Sequence, residues 1–282
     1  MCRRWLCLTA CVLFLSVGGT VAGVGFPSDV TDRQWSVLEP LLTAGKRGPR
    51  HTDLRNVING VLYVAHTGCQ WRFLPGEYGK WTRLWSQFRR WSRNGTWTRV
   101  LAALHRLART AAGRAEASPS LLVIDSSLAR GASNGGATFH VKGGPYGRTS
   151  GAKRVVAVDV TGLPVAAVVV PASAHENVAT AVLMKQLATS GCAQRLEVLL
   201  VDRGTTARAA AAIGKDHGIE VRRIGWDDKQ PVFRPIAHAW RVEVAHGRLG
   251  RSRRLAKSFE NTLASATGWL QLACIAGVLA KV

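Results

Sequence analysis

The sequence predicts a mixed β-sheet carrying helices on its faces, preceded by a small all-helical region. Two observations predict this α/β class. Apolar residues recur at helical spacing from about residue 29 to 113, and short β-branched runs bounded by Gly and Pro take over after residue 119. A third observation concerns function. Thirty-eight Lys and Arg stand against 17 Asp and Glu, a formal net charge of +21 over 282 residues. No fold needs that excess, whereas a polyanionic partner does, and nucleic acid is the commonest. An anionic membrane surface and a secreted basic protein are the rival readings. Hydrophobic residues at 47% leave enough material for a sizeable core and exclude a disordered or collagen-like chain.

The helical region reads as follows. Thr31-Asp32-Arg33-Gln34 is a capping box opening a helix through Leu42. Gly45 to Arg50 is a basic loop. Thr52 is placed to cap a second helix that ends at Gly68. Trp81, Leu84, Trp85, Phe88 and Trp91 share one face of a third, and the plain reading of that stripe is core. Arg83, Arg89, Arg90 and Arg93 lie mostly off it. Asn94-Gly95 ends this helix, and Thr96 opens a fourth that runs to about Ala112. Between Lys46 and Arg114 there are 14 Lys/Arg and two acids, Asp53 and Glu77. A solvated face usually mixes signs; this one predicts phosphate contact by a helix-turn-helix-like domain over 28–113.

Residues 119–282 are expected to form the second domain. Leu121–Ile124 is an apolar strand ending in Asp125, and 131–151 is a Gly/Ser-rich loop. Arg154–Val160 and Val165–Val170 make a hairpin about Thr161-Gly162-Leu163-Pro164. A helix over Asn177–Leu187, a strand Leu196–Val201 ending in Asp202, a helix Thr205–His217, a strand Ile219–Ile224 and helix from about Ala239 complete the order.

Residues 1–27 stand apart. Arg3 and Arg4 precede an uncharged run from Trp5 to Gly25, with small residues at Thr20-Val21-Ala22. This pattern fits an export signal or anchor, translation from a start codon set too far upstream, or a buried helix. The DNA partner favours the second, with a cytoplasmic location and no membrane partner. The six cysteines form no CxxC pair, which disfavours zinc ribbons and suits free thiols in a reducing compartment.

Ligands gather beyond the carboxyl ends of strands in such sheets, and Asp125 and Asp202 each directly follow an apolar strand. Either taken alone reads first as a turn or cap residue. Asp159, beside Thr161-Gly162, reads as a turn residue. His175 reads as a loop residue. On the last helix, Gly247, Gly250, Arg254 and Lys257 fall on the face of Glu243 and Arg251 and Arg253 flank it. Arg241 and Arg248 complete the basic set. Val242, Ala245, Leu249, Ala256 and Phe259 fall on the far side. No Lys or Arg sits three or four residues after Glu243, so a plain helix ion pair is a weaker account of it. Two strand-end carboxylates and one helix carboxylate suit two Mg²⁺ or Mn²⁺ ions and in-line displacement at phosphorus. The absence of a GxxxxGK[ST] loop argues against a nucleotide cofactor.

Asp32-Arg33-Gln34-Trp35 with Leu38 to Leu42, Val57 to Tyr63, Thr67 to Pro75, Phe88-Arg89-Arg90-Trp91 and Gly95-Thr96-Trp97 resemble DDE transposases of bacterial insertion sequences, the insertion sequence five group. Val123 to Ser126, Val158 to Pro164, Val201 to Gly204 and Trp240 to Glu260 continue the resemblance, which spans about residues 29–275. It implies an RNase H-like core, divalent metal, strand transfer at terminal inverted repeats, and Asp125, Asp202 and Glu243 as the catalytic and metal-binding triad. Double-stranded DNA and a homo-oligomer that pairs two ends are the implied partners. Two positions depart from the family pattern. Val244 stands where Arg usually follows the Glu, and Arg203-Gly204-Thr205 replaces a Gly-Gly-Tyr or Lys-Gly-Tyr turn. Both keep a second reading open, a relative that binds DNA without cutting it.

Overall fold

The computed structural model describes residues 25–43, 53–132, 150–224 and 238–282. The basic loop 45–50, Thr52, most of the segment 1–27 and most of the loop 131–151 lie outside the described residues.

α1 (Asp32–Thr43) opens on the expected capping box: the Thr31 amide donates to Gln34 Oε1 at 3.1 Å and the Gln34 amide to Thr31 Oγ1 at 3.2 Å. α2 (Leu54–Thr67) follows Asp53 and stops at Gly68, whose φ of 72° lies in the left-handed region. α3 (Trp81–Arg93) and α4 (Thr96–Ala111) are joined by Asn94-Gly95, with Asn94 Oδ1 accepting from the Thr96 amide at 3.1 Å. Leu84, Phe88 and Trp91 are buried, as the stripe requires. Trp85 corrects the core reading: it is 36% exposed on the arginine face.

β1 (Leu121–Arg130), β2 (Gly151–Asp159), β3 (Pro164–Pro171), β4 (Val198–Asp202) and β5 (Glu220–Ile224) form one sheet in the order β3-β2-β1-β4-β5. The β1–β2 and β2–β3 pairs are antiparallel, and β1–β4 and β4–β5 are parallel. This is the RNase H-like arrangement. α5 (Glu176–Thr189) and α6 (Ala207–His217) precede β4 and β5; α7 (Trp240–Leu249) and α8 (Leu263–Leu279) follow the sheet.

Side chains alternate between two cores. Val123, Val156 and Val158 face α4 and α8, while Leu122, Ile124, Val155 and Ala157 face Leu183, Met184 and Leu187 of α5. α8 joins the two halves of the chain. Trp269 stacks on Phe88 of α3 at 4.1 Å between ring centroids, and Gln271 donates to Thr98 of α4 and to the Ala167 carbonyl of β3, each at 3.0 Å. Residues 113–119 connect α4 to β1, and the core runs on across them. Among the described residues no helix is long and apolar enough to cross a membrane.

Two expectations are corrected. β1 does not stop at Asp125: Ser126 to Arg130 pair with Val155 to Gly151 of β2. These residues lack an apolar run because, beyond Ile124, β1 is paired on its β2 side alone and is less covered. The last helix is not continuous: α7 ends at Leu249, a 3-10 turn follows at Arg253–Leu255, and α8 starts at Leu263. Gly247 and Gly250 each weaken a helix by about 1 kcal/mol relative to Ala. Leaving the helix at Gly250 buries Leu255. Gly250, Arg251, Arg253, Arg254 and Lys257 therefore do not share a helical face with Glu243, and Ala256 and Phe259 are exposed.

Candidate active site

The parallel register of β1 and β4 runs from Leu121–Val198 to Ile124–Val201. The next residues, Asp125 and Asp202, therefore lie side by side just past the end of the β1–β4 ladder, in the middle of the sheet. Asp125 is half-buried and sits inside a strand, which excludes the helix-cap reading; Asp202 is exposed and closes a turn, its Oδ2 accepting from the Gly204 amide at 3.2 Å. Arg223 of β5 fixes that turn from behind, donating to the Thr205 and Arg203 carbonyls at 2.6 and 3.1 Å.

α7 packs against β1 and β2 through Val242, Ala245 and Leu249, the apolar face expected of it. Its His246 places Nε2 3.7 Å from Asp125 Oδ2 and Nδ1 3.2 Å from Ser127 Oγ. Glu243 is exposed one turn earlier on the same side of α7, close enough for its charge to favour protonated His246. Val244 is 37% exposed.

Sequence reasoning missed a fourth carboxylate, Glu176, in the first turn of α5. Its Oε1 accepts from Ser126 Oγ at 3.0 Å and from Lys153 Nζ at 2.7 Å. A Cβ on Gly204 would lie 2.8 Å from Glu176 Cγ and 3.2 Å from Asp202 Oδ2, so any other residue there would push these two side chains aside. An acid in a first helical turn looks like an ordinary dipole partner, and its contacts are 23 and 50 positions away; no local pattern marks it. His175 is the N-cap of α5, its Nδ1 accepting from the Asn177 amide at 3.2 Å.

Burial pushes the Asp125 carboxyl above its ordinary range, and Asp202 and Glu176 add to this against the Ser126 amide and His246. Burial also pushes His246 down, opposed by Asp125 and Glu243. Among the described residues no three His, Cys, Asp or Glu side chains converge closely enough to enclose a metal. The donor chemistry nonetheless suits a hard divalent cation: every candidate ligand is a carboxylate, and repulsion between Asp125 and Asp202 is what a cation relieves.

Asp159 keeps its turn role, with Oδ1 accepting from the Thr161 and Leu163 amides at 2.8 and 3.3 Å. Fully buried, it also binds Arg109 and lies 3.2 Å from His105 Nε2, both on α4.

The basic residues lie on two elements. On α3, Arg83, Arg90 and Arg93 are exposed, and the Arg89 guanidinium sits 4.6 Å over Trp85. Together with Trp85 and Asn94, Arg89, Arg90 and Arg93 border a shallow groove. In and after α7, Arg248, Arg251, Arg253 and Lys257 are exposed, and Arg241 is half-buried 5.0 Å from the Trp240 ring. Arg254 departs from the expectation. It binds Glu260 at 2.5 Å, lies 5.2 Å from the Trp269 ring and donates to the Cys69 carbonyl at 3.4 Å. With its side chain 12% exposed it is an anchor of the fold, not a free cation.

Comparison with known proteins places both regions. Residues 30–101 match the family described as "Putative transposase of IS4/5 family", and residues 116–220 match "Transposase DDE domain". The chain is 32% identical over 116 residues to the uncharacterized protein y4sN of Sinorhizobium fredii, covering 40% of this chain and 85% of that one. It is 33% identical over 79 residues to an uncharacterized 16.2 kDa protein of insertion element IS402 from Burkholderia cepacia, covering 25% of this chain and 54% of that one. No solved structure matches. Two family models in the order of the fold, and a relative covered over most of its length, identify the chain as a member of the DDE transposases of the IS4/5 type.

Proposed function

We propose that the protein binds double-stranded DNA at the terminal inverted repeats of an insertion sequence and cleaves and transfers its strands, acting in the cytoplasm as a homo-oligomer. The supporting observation is the register that brings Asp125 and Asp202 side by side past the end of the β1–β4 ladder, with α7 packed on β1. Asp125, Asp202 and Glu243 are the residues that would hold Mg²⁺ or Mn²⁺. Two such ions, when bound, supply an activated water or 3′-hydroxyl and stabilise the leaving oxygen. The chain's own residues do the rest. β1 holds Asp125 rigid, and half-buried His246 stands beside it. The arginines of α3, with Arg241, Arg248, Arg251, Arg253 and Lys257, bind phosphates and fix the register of the DNA.

A second reading, a DNA-occupying protein that does not cut, is favoured by exposed Val244 and by the Arg203-Gly204-Thr205 turn beside the acids. A nicking assay separates the two. The substrate is a DNA fragment carrying the inverted repeats that flank the gene, with Mg²⁺ or Mn²⁺ and with Asp125→Asn in parallel. Metal-dependent nicking lost in Asp125→Asn, with end-binding retained, is expected. Salt-sensitive binding without nicking in either protein overturns the catalytic reading and leaves the second.

A further inference from the structure

The ladder between β1 and β4 ends at Ile124–Val201, so Asp125 and Asp202 do not pair with each other; each is paired only on its outer side, with Val156 of β2 and Ile224 of β5. Glu176 stands at that gap. On one side it accepts from Ser126, next to Asp125; on the other it packs against Gly204, two residues after Asp202. Its partner Lys153 comes from β2, with its side chain only 5% exposed, and donates also to the Ala174 carbonyl at 2.7 Å. With Lys153 buried and the Glu176 side chain 28% exposed, desolvation of the ammonium offsets much of the attraction, so the pair adds little to fold stability. What the pair does supply is a carboxylate locked in one place between two others.

We propose that Glu176, held by buried Lys153, is a positioning residue that sets the separation of Asp125 and Asp202. The inference rests on the catalytic reading above and names a residue outside its triad. Lys153 neutralises Glu176 and engages the same oxygen that Ser126 uses, so Glu176 acts through its neighbours and not as the acid that binds the reacting atoms. A clamp on the two acids tunes cation affinity and turnover; losing such a supporting contact typically costs about 10–100-fold in metal affinity or activity.

The test uses the full chain. Mn²⁺ binding is measured by calorimetry without DNA, and nicking is resolved into kcat and KM, with thermal melting alongside. Glu176→Ala is expected to lower Mn²⁺ affinity and kcat about 10–100-fold at unchanged KM for DNA. Glu176→Gln keeps an oxygen for Ser126 and Lys153 and is expected to recover most of the loss. Ser126→Ala leaves the ion pair and α5 intact, so it reports even where Glu176→Ala does not fold; a loss of a few-fold in both quantities is expected. Unchanged affinity and kcat in Ser126→Ala and Glu176→Ala, while Asp125→Asn loses both, overturn the clamp and spare the triad. Equal losses in the Gln and Ala variants also overturn it, because charge and not position would then matter. A wild-type chain that neither binds Mn²⁺ nor nicks overturns the catalytic reading, and the clamp with it.

Discussion

Asp159 ties α4 to the β2–β3 turn, and its neutral analogue Asp159→Asn tests how strongly. The carboxylate is fully buried and shares its two oxygens among the Thr161 and Leu163 amides, the Thr161 hydroxyl, Arg109 and His105. An amide of the same shape has one oxygen. Whichever way it turns, an N–H₂ faces either the turn amides or Arg109, and the Arg109 charge stays buried without its counter-ion. Breaking such a pair from one side costs about 3–5 kcal/mol. For a chain of this size that lowers Tm by on the order of 10 °C. Urea and thermal unfolding followed by circular dichroism measure it. The exposed Glu220–Arg222 pair, whose side chains are each 56% exposed, is the control, and Arg222→Ala is expected to leave Tm unchanged. Removing both charges, with Asp159→Asn and Arg109→Met together, is expected to restore part of the loss.

The pH dependence of this variant carries a sign. Burial alone would raise the Asp159 carboxyl, but the hydrogen bond and charge of His105, with Thr161 and Arg109, outweigh it and hold the group well below the usual carboxylate range. A depressed native pKa contributes stability that is fully present above the unfolded value, about 3.9, and is lost as pH falls below it. The gap between wild type and Asp159→Asn is therefore expected to shrink as pH falls below about 4. An Asp159→Asn protein as stable as wild type at pH 7, or a gap that widens in acid, would refute the reasoning.

Two further predictions concern the DNA grip and the C-terminal anchor. End-binding measured by fluorescence anisotropy should weaken steeply with salt; Arg90→Ala and Arg93→Ala should each reduce the slope of log Kd against log salt by about 1, while Arg254→Ala lowers Tm and leaves the slope alone. A flat salt response would sink the nucleic-acid reading. Gly68→Ala forces a side chain onto φ 72° and places its Cβ 3.0 Å from the Arg253 carbonyl carbon, so a loss of at least about 1–2 kcal/mol is expected from unfolding curves.

Local chemistry made part of this structure legible from the chain. The Thr31–Gln34 box, the Asn94-Gly95 break and the Thr161–Pro164 turn each act through residues within four positions, and each is where the sequence places it. The sheet strands were visible as β-branched runs, and the order of elements followed. What escaped depends on distant partners. The second half of β1 is polar because it runs past the end of β4, a fact of topology. The break at Gly250 is set by what Leu255 and Arg254 pack against, Arg254 reaching Trp269 and Cys69. Of the site, Asp125 and Asp202 could be read from apolar runs ending in an acid. Glu176 could not, because its meaning comes from Lys153, Ser126 and Gly204.

The placement of α8 has a consequence for how the chain acquires its structure during synthesis. Phe88, Trp91 and Leu104 belong to helices made early, yet the surface that covers them includes Trp269 and its neighbours on α8. The Gln271–Thr98 bond alone spans 173 positions. Until α8 has left the ribosome, the early helices present an uncovered aromatic face on a strongly cationic segment. Closure then requires long-range contacts, which slow folding and lengthen exposure to association. The N-terminal helices therefore acquire their final rigidity only when the C-terminal half is also complete. A chain cut short before α8 would be an aggregation hazard.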